Sequence, residues 1–175
     1  IASGGNYNVC IGDTAGTALT TGDNNVAIGF EALATEDAHG DNTAIGYQAL
    51  KTLNGGADTF NVAVGYQAGT SVTTGTNNTL IGSFTGDAIT DGSHNTALGI
   101  SALSAETRGS RSVAIGEGTL QFQNNTSAVN AYNTAVGYEA GNDVTTAVQS
   151  VFVGYEAGTK LTVGTNNTLI GGEAG

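Results

Sequence analysis

The sequence predicts an all-β fold: a parallel β-solenoid of about ten 17-residue coils, forming a single domain over residues 1–175. Three observations carry this prediction. A stretch such as "NTAIGYQAL", at Asn42–Leu50, recurs in ten variants along the chain. Within each copy a branched aliphatic residue alternates with a small one, which is the two-residue period of a strand. Between copies lie segments such as "TTGDN", "TTGTN" and "TDGSH", whose glycine and asparagine are turn chemistry.

Alignment on the motif glycine gives Gly12, Gly29, Gly46, Gly65, Gly82, Gly99, Gly116, Gly137, Gly154 and Gly171, with steps of 17, 17, 19, 17, 17, 17, 21, 17 and 17. One repeat unit therefore runs through the whole chain with two insertions, and no domain boundary interrupts it. The residue before the glycine is always Ile, Val or Leu, and two residues earlier stands Val or Thr, five of each. Between them the residue is Ala except at Cys10, Leu80, Phe152 and Leu169. Asn opens the strand in eight copies and Ser, at Ser112 and Ser150, in two. Ala or Thr follows three residues after the glycine, then Gly or Leu. Each unit thus reads as a short strand, a turn, a second extended piece and a return loop. A helix is excluded, because glycine, asparagine and β-branched residues recur throughout with no 3.6-residue face.

One unit has too little apolar surface to offset its ordering entropy. Stacking the units turns each column of the alignment into a continuous spine, and at ~4.8 Å per coil ten coils make a rod of roughly 45–50 Å. The expectation is that the branched aliphatics form the buried spine. The alanine column is then a smooth second face that packs against a copy of the chain, and a three-fold rod would close without an open face. The asparagines at the strand entrance, among them Asn8, Asn25, Asn42, Asn61, Asn78 and Asn95, should stack as an amide ladder that holds coil register.

Composition narrows the function. Fifteen acidic against four basic residues give a net charge of −11, which disfavours nucleic acid and anionic membrane surfaces as partners. No stretch reaches the roughly 18 apolar residues of a membrane span, so membrane insertion is not expected. The chain has no methionine, as in a fragment of a longer protein. Its single cysteine, Cys10, sits in a repeat strand and reads as a small hydrophobe.

The segments "NTAIG", "NVAVG" and "SVAIG" (Asn42–Gly46, Asn61–Gly65 and Ser112–Gly116) resemble the head repeats of trimeric autotransporter adhesins, the YadA-like head. They resemble still more the "NTAxGYQAL" arrays of bacteriophage tail-fibre proteins. All ten copies fit, so the resemblance covers essentially the whole chain. It implies a left-handed parallel β-roll (β-helix) assembled as a homotrimer, serving as shaft or head of an attachment fibre, on a virion or at a cell surface. The partner it implies is a host cell-surface glycan or protein receptor. The 17-residue unit is longer than the usual adhesin head repeat, so the return loops must be larger. Nothing resembles an autotransporter membrane anchor or the self-cleaving chaperone that ends many phage fibres.

Candidate sites are few. His39, in "TEDAHGD", has Glu36, Asp37 and Asp41 nearby and could join a metal or acid–base cluster, but without zinc-type spacing it reads as loop decoration. His94 lies in another coil. No phosphate-cradling glycine motif and no cofactor signature is present. Glu139, Glu156 and Glu173 occupy one repeat position in three successive coils, forming either a solvated ridge or a weak cation site. Phe30, Tyr47, Tyr66, Tyr138 and Tyr155 follow the glycine and could stack on sugars or cover the roll's edge. The insertions, Leu53–Phe60 and Gln121–Tyr132, should protrude, and Phe122, Asn124, Asn125 and Tyr132 form the preferred contact set for a carbohydrate. The N-x-[ST] matches at Asn77, Asn124, Asn125 and Asn166 follow from the Asn/Thr-rich repeat.

The expected function is multivalent, non-enzymatic attachment. The alternatives are an ice-binding solenoid, whose Thr column would share a face with buried Ile, and a polysaccharide-degrading solenoid, for which no catalytic cluster is found.

Overall fold

The structure, a computed structural model, describes residues 4–175. Ten three-residue strands follow one another: β1 (Val9–Ile11), β2 (Val26–Ile28), β3 (Thr43–Ile45), β4 (Val62–Val64), β5 (Thr79–Ile81), β6 (Thr96–Leu98), β7 (Val113–Ile115), β8 (Thr134–Val136), β9 (Val151–Val153) and β10 (Thr168–Ile170). They form one sheet in sequence order, every neighbour parallel. The fold is the predicted β-solenoid, one coil per repeat. Both insertions loop out without shifting the register, since Thr43 still pairs with Val62 and Val113 with Thr134.

The motif glycine ends each strand and continues the ladder. Gly46 N donates to Ile28 O at 2.7 Å, and Gly82 N donates to Val64 O at 2.8 Å. Its φ, +130° at Gly12 and +134° at Gly82, is one that L side chains rarely adopt. Two later positions in each coil, and the one just before the strand-opening Asn, have φ near +55°. They are mostly held by ordinary residues such as Gln48, Leu50 and Asn77.

The two faces of the strand alternation are the reverse of the expectation. The central residue points inward: Ala27, Ala44, Ala63, Ala97, Ala114 and Ala135 are fully buried, as are Leu80 and Phe152. The branched residues on either side are half-buried or exposed. Volume decides this. From the turn, Leu33, Leu50, Leu103 and Leu120 project into the coil and are fully buried, leaving the strand room for one methyl. Where that turn position is Gly16, Gly86 or Gly158, the central strand residue grows to Cys10, Leu80 or Phe152. Gly69 and Gly141 lie in coils that keep an alanine on the strand, and the next coil's large residue fills the gap. A Cβ on Gly69 would stand 2.8 Å from Leu80 Cδ1, and one on Gly141 3.0 Å from Phe152 Cδ2. The interior is thus close-packed by exchange of volume between positions, and one hydrophobic cluster runs the length of the rod.

The strand-opening asparagines Asn25, Asn42, Asn61, Asn78, Asn95 and Asn133 are buried, but they bond chiefly to backbone rather than amide to amide. Asn61 Nδ2 donates to Gly75 O at 2.8 Å, closing its own coil, while its Oδ1 accepts from Asn78 N at 2.9 Å in the next. Asn78 and Asn95 repeat the arrangement. Amide-to-amide contacts link only some pairs, as at Asn78 Nδ2 to Asn61 Oδ1, 3.2 Å. At Ser150 the hydroxyl takes over, accepting from Asn167 N at 3.2 Å.

Candidate functional site

Strand geometry puts three columns on the outside: Val or Thr, then Ile, Val or Leu, then the residue after the glycine. The result is a largely aliphatic outward face down one side of the rod, shared with Thr in five coils, with Ile115 37% and Leu98 47% exposed in its middle coils. The Thr column therefore shares its face with outward, not buried, aliphatics, which corrects the expectation of a buried Ile partner.

Along the edge of this face the aromatics stack. Phe30 and Tyr47 lie 5.3 Å apart between ring centroids, Tyr47 and Tyr66 4.9 Å apart and 7° from parallel, and Phe84 meets Tyr66 edge-on at 5.1 Å. Tyr138 and Tyr155 form a second stack at 5.7 Å. A sugar stacks on an open ring face. Tyr47 is flanked on both sides by another ring, and Tyr66 carries Tyr47 on one face and Phe84 on the other side. Tyr47 therefore presents mainly its edge and hydroxyl outward, and Tyr66 has one face covered.

The preferred contact set at the second insertion does not assemble. Phe122 and Tyr132 are both about half exposed, 50% and 51%, yet make no ring contact with each other among the described residues. Asn124 is partly buried, its N bonded to Thr145 O at 2.8 Å and its Oδ1 accepting from Thr107 Oγ1 at 3.0 Å. Asn125 is buried and cannot meet a receptor. Its backbone N and its Nδ2 donate to the two oxygens of Glu106, at 3.0 and 2.8 Å.

Sequence reasoning missed Glu106. It lies seven residues past its glycine, in a column that is Leu19, Leu53, Val72 and Ile89 in other coils. Its Oε1 also accepts from Thr107 N, Arg108 N and Gly109 N (2.9, 3.1 and 2.7 Å), and its Oε2 from Gln123 Nε2 at 2.7 Å. Glu36 stands in the same column and is equally buried, accepting from His39 N at 3.1 Å and Gly55 N at 3.3 Å. Each glutamate sits one coil ahead of an insertion and takes up a backbone N–H within it, Gly55 in one case and Asn125 in the other. A charged residue in a column that is Leu, Val or Ile in most coils was the available signal.

Glu36, Asp37 and His39 bring ligand atoms within 4.8 Å of one another, and His39 Nδ1 lies 3.2 Å from Glu36 Oε1. Asp41 stays outside this group, exposed on its own turn. Glu139, Glu156 and Glu173 do stack in successive coils, their N–H groups donating to Glu117, Tyr138 and Tyr155 carbonyls. Among the described residues, however, their carboxylates do not converge to the same ligand distance. The other end of the column is neutralised: Gln48 Nε2 donates to Glu31 at 2.6 Å, Gln67 Nε2 to Gln48 at 2.9 Å, and Lys51 pairs with Glu31. Lys51, then Gln48, hold the Glu31 carboxyl below its ordinary range.

The acidic end acts on its tyrosines. Glu156 beside Tyr155, with Glu173 adding charge, pushes that phenol up to about 12. Folding therefore favours the protonated phenol, and the associated stabilisation is present below pH ~10 and lost as pH rises through about 12. In a spectrophotometric titration Glu156→Gln should bring one of the six tyrosines back toward the ordinary range; an unchanged profile would refute this account.

Among the described residues no pocket is present. Compared with known proteins, the chain matches no family model, no curated protein and no solved structure.

Proposed function

We propose that the chain is a segment of a homotrimeric attachment fibre, on a virion or cell surface, that presents repeated weak contacts to a host cell-surface receptor and carries out no catalysis. The observation that supports this reading is the outward apolar face of the sheet. Contiguous exposed apolar surface marks an interaction site, and a face built from the same repeat positions in every coil can pack against the matching faces of symmetry-related copies. Three chains packed on these faces would bury the aliphatic columns and leave the turns outward, where each contact is present three times. Static light scattering tests the reading. A mass of three times the 17.3 kDa chain is expected, and Ile115→Glu, which charges the face without touching the coil interior, should reduce it to one chain with the β-sheet spectrum unchanged. A monomeric parent chain would overturn the proposal.

The same face gives the ice-binding reading one point of support, since a flat outward array of β-branched residues is what such a surface needs. Thermal hysteresis by a monomeric chain would favour it over the fibre.

A further inference from the structure

The position just before the strand-opening Asn or Ser is exposed in coil after coil and changes its residue type nearly every time, while the position after it stays Asn or Ser. In the middle of the rod it reads Asn77, His94, Arg111, Tyr132 and Gln149, all exposed and all with φ between +53° and +66°. Equal backbone geometry in successive coils sends these side chains out side by side, ~4.8 Å apart. The backbone confirms the succession: His94 N donates to Thr76 O at 2.9 Å, Arg111 N to Ser93 O at 3.0 Å, and Gln149 N to Ala131 O at 2.6 Å.

Arg111 is the unusual member. Of the four basic residues, Lys51 and Arg108 are held by Glu31 and Asp91, at 2.6 and 2.7 Å. Arg111, like Lys160, has no carboxylate partner among the described residues. Its Nε donates to Asn130 Oδ1 at 3.1 Å, a residue of the second insertion. That bond engages Nε and leaves both terminal nitrogens without a hydrogen-bond partner among the described residues. Tyr132 in the next coil belongs to neither aromatic stack, so its ring faces are uncovered by other rings, unlike those of Tyr47 and Tyr66.

We propose that Arg111 and Tyr132, flanked by His94, bind a carboxylate-bearing sugar of an extended acidic polysaccharide. The terminal nitrogens of a guanidinium match a carboxylate in a bidentate pair, an open phenol ring takes the apolar face of a pyranose, and the amides of Asn77 and Gln149 serve hydroxyls of sugars to either side. On a rod of charge −11 the charge contact is local, so an anionic polymer is held at this point of the surface rather than along it. The inference rests on the attachment reading, whose receptor it specifies as an acidic glycan.

The test is retention of the intact chain on immobilised polygalacturonate and polysialic acid, against fully methyl-esterified polygalacturonate, which keeps the sugar skeleton without the charge. Wild type should hold at least one acidic polymer about tenfold better than the ester, with the preference shrinking as salt rises. Arg111→Gln should erase the preference, Tyr132→Ala should weaken binding severalfold, and Arg108→Gln, whose partner is Asp91, should change nothing. Equal retention on acid and ester, or a preference that survives Arg111→Gln, overturns the site. A trimer that binds the ester as well as the acids leaves the attachment reading standing while the Arg111 site falls. A monomer that nonetheless loses its acid preference on Arg111→Gln does the opposite.

Discussion

Gly82→Ala is expected to destabilise the chain by about 4 kcal/mol or more, although it adds only a methyl group. At φ +134° an L residue is strained, and the new Cβ would stand 2.6 Å from Gly99 O, 2.7 Å from Gly99 C and 2.7 Å from Thr85 Oγ1. Two of those atoms are backbone of the next coil, so the methyl fits only if β5 and β6 move apart and their ladder bonds lengthen. Two further alanines separate the contributions. Gly171 has a comparable φ, +125°, but nothing within 4 Å of its would-be Cβ, so Gly171→Ala should show backbone strain alone, about 1–3 kcal/mol. Gly56, in the first insertion, has an ordinary φ and open space, so Gly56→Ala should stay within about 0.5 kcal/mol of the parent. Denaturant midpoints measure all three. Equal losses at Gly82 and Gly171 would show that coil separation contributes nothing.

Replacing Glu106 should cost nearly as much. Leucine fits this column sterically, since Leu19 and Leu53 are buried at the same repeat position. Glu106→Leu therefore tests hydrogen bonding with little change in packing. Four backbone N–H groups and two side-chain amides point at the carboxylate, and leaving buried donors without an acceptor costs about 1–3 kcal/mol each before relaxation, so a loss of roughly 3–5 kcal/mol is expected. Glu106→Gln keeps the shape but turns an NH2 toward other donors, and should lose about 1–3 kcal/mol. Gln123 depends on Glu106, so in the double variant Glu106→Leu, Gln123→Leu the losses should be less than additive. A loss below about 1 kcal/mol for Glu106→Leu would mean that water reaches these groups.

The strands were readable from residues because the motif repeats: ten copies fix the register that a single copy would leave open, and β1 to β10 fall on the ten aligned triplets. Which face of each strand is inside was not readable from alternation, which is symmetric between faces. The decision rests on volumes elsewhere in the coil, on whether a buried Leu50 or a Gly69 stands four residues past the glycine. The insertions show the complementary limit. Loop position pointed to Asn125 as a surface contact, yet a displaced loop frees backbone N–H groups, and a buried Glu106 draws Asn125 inward to satisfy them. Tyr132, at the end of the same insertion, keeps its expected exposure because its repeat position faces outward in every coil.

One property of the sheet bears on how such a rod responds to force. Each strand pairs only with its sequence neighbours, so the ladder hydrogen bonds run along the rod's axis. Tension on the two ends loads the nine junctions between coils in series, each with its own small set of bonds, and coupling is confined to adjacent coils. The weakest junction then sets the strength of the whole, however well the others are made. The longest and least regular junctions, where the insertions interrupt the turns, are also the two places where a buried glutamate ties one coil to the next.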